Sequence, residues 1–195
     1  MSILRLKLPT DPRWVNLAEM SLEEILTDHA YCEQKAASSC ISLIQQFPDK
    51  PELVEKLSPI VTEEWGHFRM VLRELKKREL TLGKQRKDEY VNALLQFVKK
   101  GVGRDELLVD RLLMAALIEA RSCERFKLLS EGINEEELRD FYRKLMISEA
   151  AHYTLFIKLA RLYMPTVKVR ARWFEWLAYE AKIMSELTPR GDRMH

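Results

Sequence analysis

The chain has 195 residues, 47% of them hydrophobic and 32% charged, with a formal net charge of +2. That apolar content suffices for a sizeable core in one domain, or one domain with an added helix. The near balance of charge excludes nucleic-acid binding through bulk basicity and leaves only local clusters to provide it.

In chain order, residues 1–20 read as an N-terminal lead, with "LPTDPRWV" carrying two prolines. A first long helix is expected from the capping box "SLEE", Ser21 to Glu24, to about Phe47, where "PDKP" stops it. Its inner stripe is Leu26, His29, Glu33, Ala37, Cys40, Ile44 and Phe47. A short turn of helix follows from Pro51, and Ser58 with Pro59 then reads as the start of a second long helix reaching about Glu79. Ile60, Glu64, His67, Val71 and Leu75 form its stripe. Residues 80–103 read as a crossover holding one short helix, "DEYVNALLQFVKK", closed by Gly101. The third long helix runs from about Arg104 to Ser130, with Leu112, Ala116, Glu119, Cys123 and Phe126 on one face and Gly132 beyond its end. The fourth, capped by "NEEE" at Asn134 to Glu137, reaches Met164 and carries Leu138, Phe141, Leu145, Glu149, His152, Phe156, Leu159 and Tyr163 on its face. A fifth helix over 168–187 and a polar tail complete the chain. No strand alternation is convincing. The expected fold class is therefore all-α: a four-helix bundle over 21–164, made of two helical hairpins joined by a long crossover, with an additional C-terminal helix, all in a single domain over 1–195.

Each hairpin contains the same ionisable set. Glu33 faces Glu64 and His67 in the first; Glu119 faces Glu149 and His152 in the second. Residues three apart on a helix project together, so each Glu-x-x-His can grip one ion. Glutamate is common here, and the spacing alone would be weak. A lone carboxylate on the apolar stripe of every partner helix is stronger, because burying it without compensation costs several kcal/mol. Two divalent cations cancel four carboxylates, and two imidazoles complete mixed oxygen and nitrogen spheres suited to iron, with manganese possible. By the pattern of dinuclear carboxylate proteins, Glu64 and Glu149 bridge, Glu33 and Glu119 are terminal, and His67 and His152 each supply one nitrogen. His29 reads as a hydrogen-bonded core histidine ahead of an outer partner of Glu33. Cys40 and Cys123 read as packing, Glu63 and Glu124 as solvated, and His195 as outside the site.

Two basic clusters stand out. "RELKKRELTLGKQRK" holds Arg73, Lys76, Lys77, Arg78, Lys84, Arg86 and Lys87, and "KVRARWFEW" sets Lys168, Arg170 and Arg172 among three aromatics. Such groups could meet RNA phosphates and stack on bases, but on charge alone a solvated helix end and a packing stripe are the stronger reading. Cys32, Cys40 and Cys123 form no Cys-x-x-Cys pair and are odd in number, which fits a reducing cytoplasm. The longest apolar run, "LLMAALI", is too short to span a bilayer, and no secretory signal is expected.

The strings "LPTDPRWV", "ILTDHAYCEQKAAS", "EEWGHF", "ALIEARSCERF" and "SEAAHYTLF" resemble those of the MiaE family over nearly the whole chain. The resemblance implies a ferritin-like fold and a non-haem diiron tRNA hydroxylase acting on the isopentenyl group of 2-methylthio-N6-isopentenyladenosine beside the anticodon. It also implies dioxygen as co-substrate, a separate reductase as electron donor, and the same six metal ligands. The alternative reading is a ferritin- or rubrerythrin-like iron oxidase or peroxide scavenger.

Overall fold

The computed structural model describes residues 4–188 and 190–195. Among them every regular element is a helix: α1 Trp14–Met20, α2 Leu22–Gln46, α3 Pro51–Lys77, α4 Glu89–Phe97, α5 Arg104–Gly132, α6 Glu136–Tyr163 and α7 Thr166–Glu186. They fall into two compact units. One comprises Asn16–Lys87 and Arg190–Met194; the other comprises Met1–Val15, Asp88–Pro189 and His195.

In the first unit α2 and α3 form a hairpin across residues 47–50. The inner face of α2 buries Leu26, His29, Ala30, Glu33, Ala37, Cys40 and Leu43, the last in place of the expected Ile44. Contrary to expectation, α3 is one helix from Pro51, and Pro59 lies inside it. Leu53, Leu57, Ile60 and Glu64 share one continuous buried face, so packing holds the helix through a residue that cannot donate to the carbonyl four back. Pro59 is exposed. Exchanging it for alanine should therefore stabilise the protein by roughly 1–3 kcal/mol, read as a higher urea midpoint at unchanged slope. The C-terminus of α3 closes with Glu79 at φ 58°, Glu79 N–H donating to Lys76 O at 3.1 Å and Leu80 N–H to Leu75 O at 3.0 Å. This pair of bonds is a Schellman ending with a glutamate in the position glycine usually takes.

In the second unit α5 and α6 form the corresponding hairpin, and α4 and α7 pack beside α5. α5 is buried nearly all round. Asp110, 1% exposed, gathers that packing: it accepts from Arg172 Nε at 2.6 Å, Trp176 Nε1 at 2.9 Å and the Lys99 N–H at 2.7 Å. A longer α5 corrects the expected end at Ser130 and takes in Gly132, where a Cβ would lie in tight contact, 3.0 Å from Val15 Cγ1.

Several sequence expectations fail at element ends. The 1–20 lead contains a helix, α1. Ser21 makes no side-chain cap; its N–H donates to Ala18 O at 3.1 Å, which ties it to the end of α1 instead of leaving it in the extended conformation a cap needs. Asn134 does not cap α6 either, because α6 begins after Glu135 and the Arg139 guanidinium takes the Ile133 carbonyl at 3.0 Å. Gly101, at φ 69°, belongs to the loop, because α4 has already ended at Phe97.

Candidate metal centre

The α2/α3 hairpin brings Glu33, Glu64 and His67 together, all below 8% exposed. His67 Nδ1 lies 3.5 Å from Glu33 Oε2 and 3.6 Å from Glu64 Oε2. The other Glu33 oxygen, Oε1, is 2.6 Å from His29 Nε2. His29, fully buried, is thus both a hydrogen-bonded core histidine and the group that orients Glu33.

The α5/α6 hairpin repeats the arrangement. Glu119, Glu149 and His152 are each at most 5% exposed and offer ligand atoms within 4.8 Å of one another. His152 Nδ1 lies 3.8 Å from Glu149 Oε2. In both hairpins the imidazole turns Nδ1 toward the carboxylate three residues earlier. Two donors bound to one ion at ~2.1 Å stand roughly 3.0–3.5 Å apart, so the histidine–carboxylate distances of 3.5, 3.6 and 3.8 Å need to close by only a few tenths of an ångström to hold a cation. The donor set, hard oxygens with one imidazole nitrogen per triad, suits iron or manganese.

The neighbouring thiols fit packing. Burial, then the Glu64 charge, pushes Cys40 up to about 12. Cys123 is pushed up to about 11 by burial, then by Glu149. Protonated thiols are poor ligands. Glu63 is exposed as expected, but Glu124 is not solvated: it pairs with the Arg121 guanidinium and accepts from Thr10 Oγ1 at 2.7 Å. His195 is bonded through Nε2 to Ser122 Oγ at 3.0 Å and stacks on Tyr90.

Of the ten basic residues singled out in the sequence, seven are exposed: Arg73, Lys76, Lys77, Lys84, Lys87, Lys168 and Arg170. Lys77 and Arg78 pair with Glu74, Arg86 with Asp192, and Arg172 with Asp110 and Glu175. Trp173 and Trp176 are buried, which removes them as stacking surfaces and leaves Phe174, 41% exposed, with Arg170 over its ring.

A buried network that sequence reasoning missed lies in the second unit. Arg121, 0% exposed, donates from Nε to Glu180 Oε1 at 2.8 Å, from Nη2 to Leu8 O at 2.9 Å and from Nη1 to Thr10 Oγ1 at 3.2 Å. Burial works against the Arg121 charge, but the carboxylate of Glu180 more than restores it, with help from Tyr90 and Glu124. Glu180 stands 59 residues away, and no local pattern links the two.

The family model described as tRNA-(MS2IO6A)-hydroxylase (MiaE) matches residues 2–195. A Pseudomonas putida protein named tRNA 2-(methylsulfanyl)-N(6)-isopentenyladenosine(37) hydroxylase is 39% identical over 155 residues, which is 80% of this chain and 74% of that one. The protein of the same name from Salmonella typhimurium is 26% identical, over 85% of this chain and 79% of its own. A solved structure, Protein 43 with aldehyde deformylating oxygenase activity from Synechococcus, superposes with a TM-score of 0.91 at 35% identity, covering 97% of this chain and 94% of that chain. The fold is accordingly all-helical and ferritin-like.

Proposed function

This chain belongs to the MiaE family of tRNA hydroxylases, and from that premise we propose that it hydroxylates the isopentenyl group of tRNA 2-methylthio-N6-isopentenyladenosine at a dinuclear iron centre held by its two triads. The proposal takes residues 1–195 as one functional domain. The observation that carries it is the repeat of one geometry: a Glu-x-x-His pair with Nδ1 turned to the carboxylate, 3.6 Å apart in one hairpin and 3.8 Å in the other, each with a buried partner glutamate.

Glu33, Glu64, Glu119 and Glu149 would hold the irons by their carboxylates, and His67 and His152 by one imidazole nitrogen each. Bound iron would supply the activation of dioxygen needed to hydroxylate an allylic methyl group of the prenyl chain, with electrons from a separate reductase. The chain's own residues define the setting. His29 holds Glu33 Oε1, so Oε2 is the oxygen left facing His67 Nδ1. Ile60 and Phe68, one turn on either side of Glu64, and Leu145, one turn before Glu149, are buried and apolar, which keeps water from the ligand atoms. Exposed basic residues of α3, the crossover and α7 would meet the tRNA backbone. Affinity for tRNA should then fall steeply as salt rises.

Anaerobic titration with ferrous iron, followed by metal analysis, tests the centre. The expected stoichiometry is two irons per chain; a single iron, or none retained, contradicts it. A second reading, deformylating oxygenation of an aldehyde, is favoured by the Synechococcus protein's activity together with 35% identity across nearly the whole chain. It predicts that an aldehyde, not the prenylated nucleoside, is consumed when the reduced protein meets dioxygen.

A further inference from the structure

Glycine inside a helix is less favourable than alanine, and is retained where another group must come close. Gly66, in the middle of α3, has no such neighbour: a Cβ built on it meets nothing within 4 Å. It lines instead a surface notch of about 360 Å³, together with Glu63, His67, Arg69, Met70 and Arg73. Packing does not account for this glycine. What it does is leave open a path to the His67 ring, whose Nδ1 faces Glu33 and Glu64 and whose Nε2 lies 4.0 Å from Glu63 Oε1.

The surroundings say what would enter. Arg69 and Arg73 are exposed, one helical turn apart on the same wall, and no carboxylate is seen to hold either guanidinium among the described residues. Beside them Trp65 is 45% exposed, its ring leaning on Phe68 with centroids 4.8 Å apart. An exposed indole braced from one side, next to two arginines, offers a base a stacking surface and its phosphates two forked donors. The aldehyde of the alternative reading would use neither.

We propose that the Gly66 notch of α3 seats an anticodon-loop nucleotide adjoining the modified adenosine, with Trp65 stacking its base and Arg69 and Arg73 holding its phosphates. This rests on the tRNA hydroxylase reading and extends it: Arg69, Trp65 and Gly66 become positioning residues for RNA that the basic clusters in the sequence did not single out. Glu63, which also lines the notch, repels phosphate and so favours the arginine end for the backbone.

The test uses the full, iron-loaded chain and an anticodon stem-loop RNA carrying 2-methylthio-N6-isopentenyladenosine, with binding followed by anisotropy and product by single turnover. Trp65→Ala should weaken binding by roughly tenfold or more, the scale of one missing base stack. Arg69→Gln with Arg73→Gln should lower the slope of log affinity against log salt by about one to two, roughly one unit for each phosphate no longer held. Gly66→Leu separates a binding role from a structural one: leucine should raise the thermal midpoint, as a better helix former in open space, while weakening RNA binding roughly tenfold. Wild-type affinity and salt slope in all three variants, with wild-type protein binding and hydroxylating the RNA normally, would overturn the notch and leave the function standing. Failure of the wild-type protein itself to bind or hydroxylate this RNA would overturn the function, and the notch with it.

Discussion

Exchanging Glu149 for glutamine should lower single-turnover hydroxylation by at least about a thousandfold while making the metal-free protein more stable. The two effects have one origin. Glu149 and Glu119 are 2% and 5% exposed on neighbouring helices, with ligand atoms within 4.8 Å of each other and of His152. Without a cation, like charges at that separation repel in a poorly solvated setting; glutamine keeps the shape and removes one charge. A gain of roughly 1 kcal/mol would appear as a melting temperature about 2–4 °C higher for a chain of this size. With iron bound the order should reverse, because the wild-type protein gains the binding free energy of its metal and the variant lacks a ligand. Melting curves with and without ferrous iron, taken anaerobically, check both halves. A variant less stable than wild type in both conditions would mean that Glu149 is a structural residue.

The second large effect is structural and lies at Arg121. Replacing it with methionine removes the charged partner of Glu180, which is 0% exposed, and takes away the guanidinium that donates to the Leu8 carbonyl. Breaking a buried pair from one side costs about 3–5 kcal/mol. The pH dependence has a definite sign. Burial already raises the Glu180 carboxyl above its usual range, and Arg121 is the chief influence pulling it down. In the variant that opposition is gone, so the folded carboxyl rises further and folding favours its protonated form. Stability from such a group is present below the unfolded carboxyl range and disappears as pH rises through the folded value, so the deficit should shrink on acidification. Urea melts at neutral and mildly acidic pH read this directly. The double variant Arg121→Met, Glu180→Met should recover most of the stability, because no charge is then left buried alone.

The residues of both triads were legible in the sequence because they are local. Glu64 with His67, and Glu149 with His152, fall three apart on helices whose apolar positions recur at the helical period, and the structure buries each of them on the expected stripe. Glu33 and Glu119 followed from position on the partner stripes. What escaped depends on contacts between distant segments. Nothing in "WVNLAEM" announces a seven-residue helix; α1 is anchored by Trp14, 1% exposed, under the Arg125 guanidinium 4.1 Å from its ring. Pro59 looked like a helix start because local chemistry says so, and tertiary burial of Leu57 and Ile60 overrode it. Glu124 looked solvated because it sits off the stripe, yet Arg121 one turn away and Thr10, 114 residues earlier, engage it. The basic clusters misled for the same reason. Positive charge is visible in a sequence, but the carboxylate that claims it, as Asp110 claims Arg172, is not.

The fate of the prenylated nucleoside decides the activity most directly. Chemically reduced, iron-loaded protein would be mixed with dioxygen and tRNA bearing 2-methylthio-N6-isopentenyladenosine, the RNA digested, and its nucleosides weighed by mass spectrometry. One added oxygen atom on that nucleoside, absent with Glu149→Gln, is the predicted result. An unchanged nucleoside from protein shown to carry two irons would contradict it.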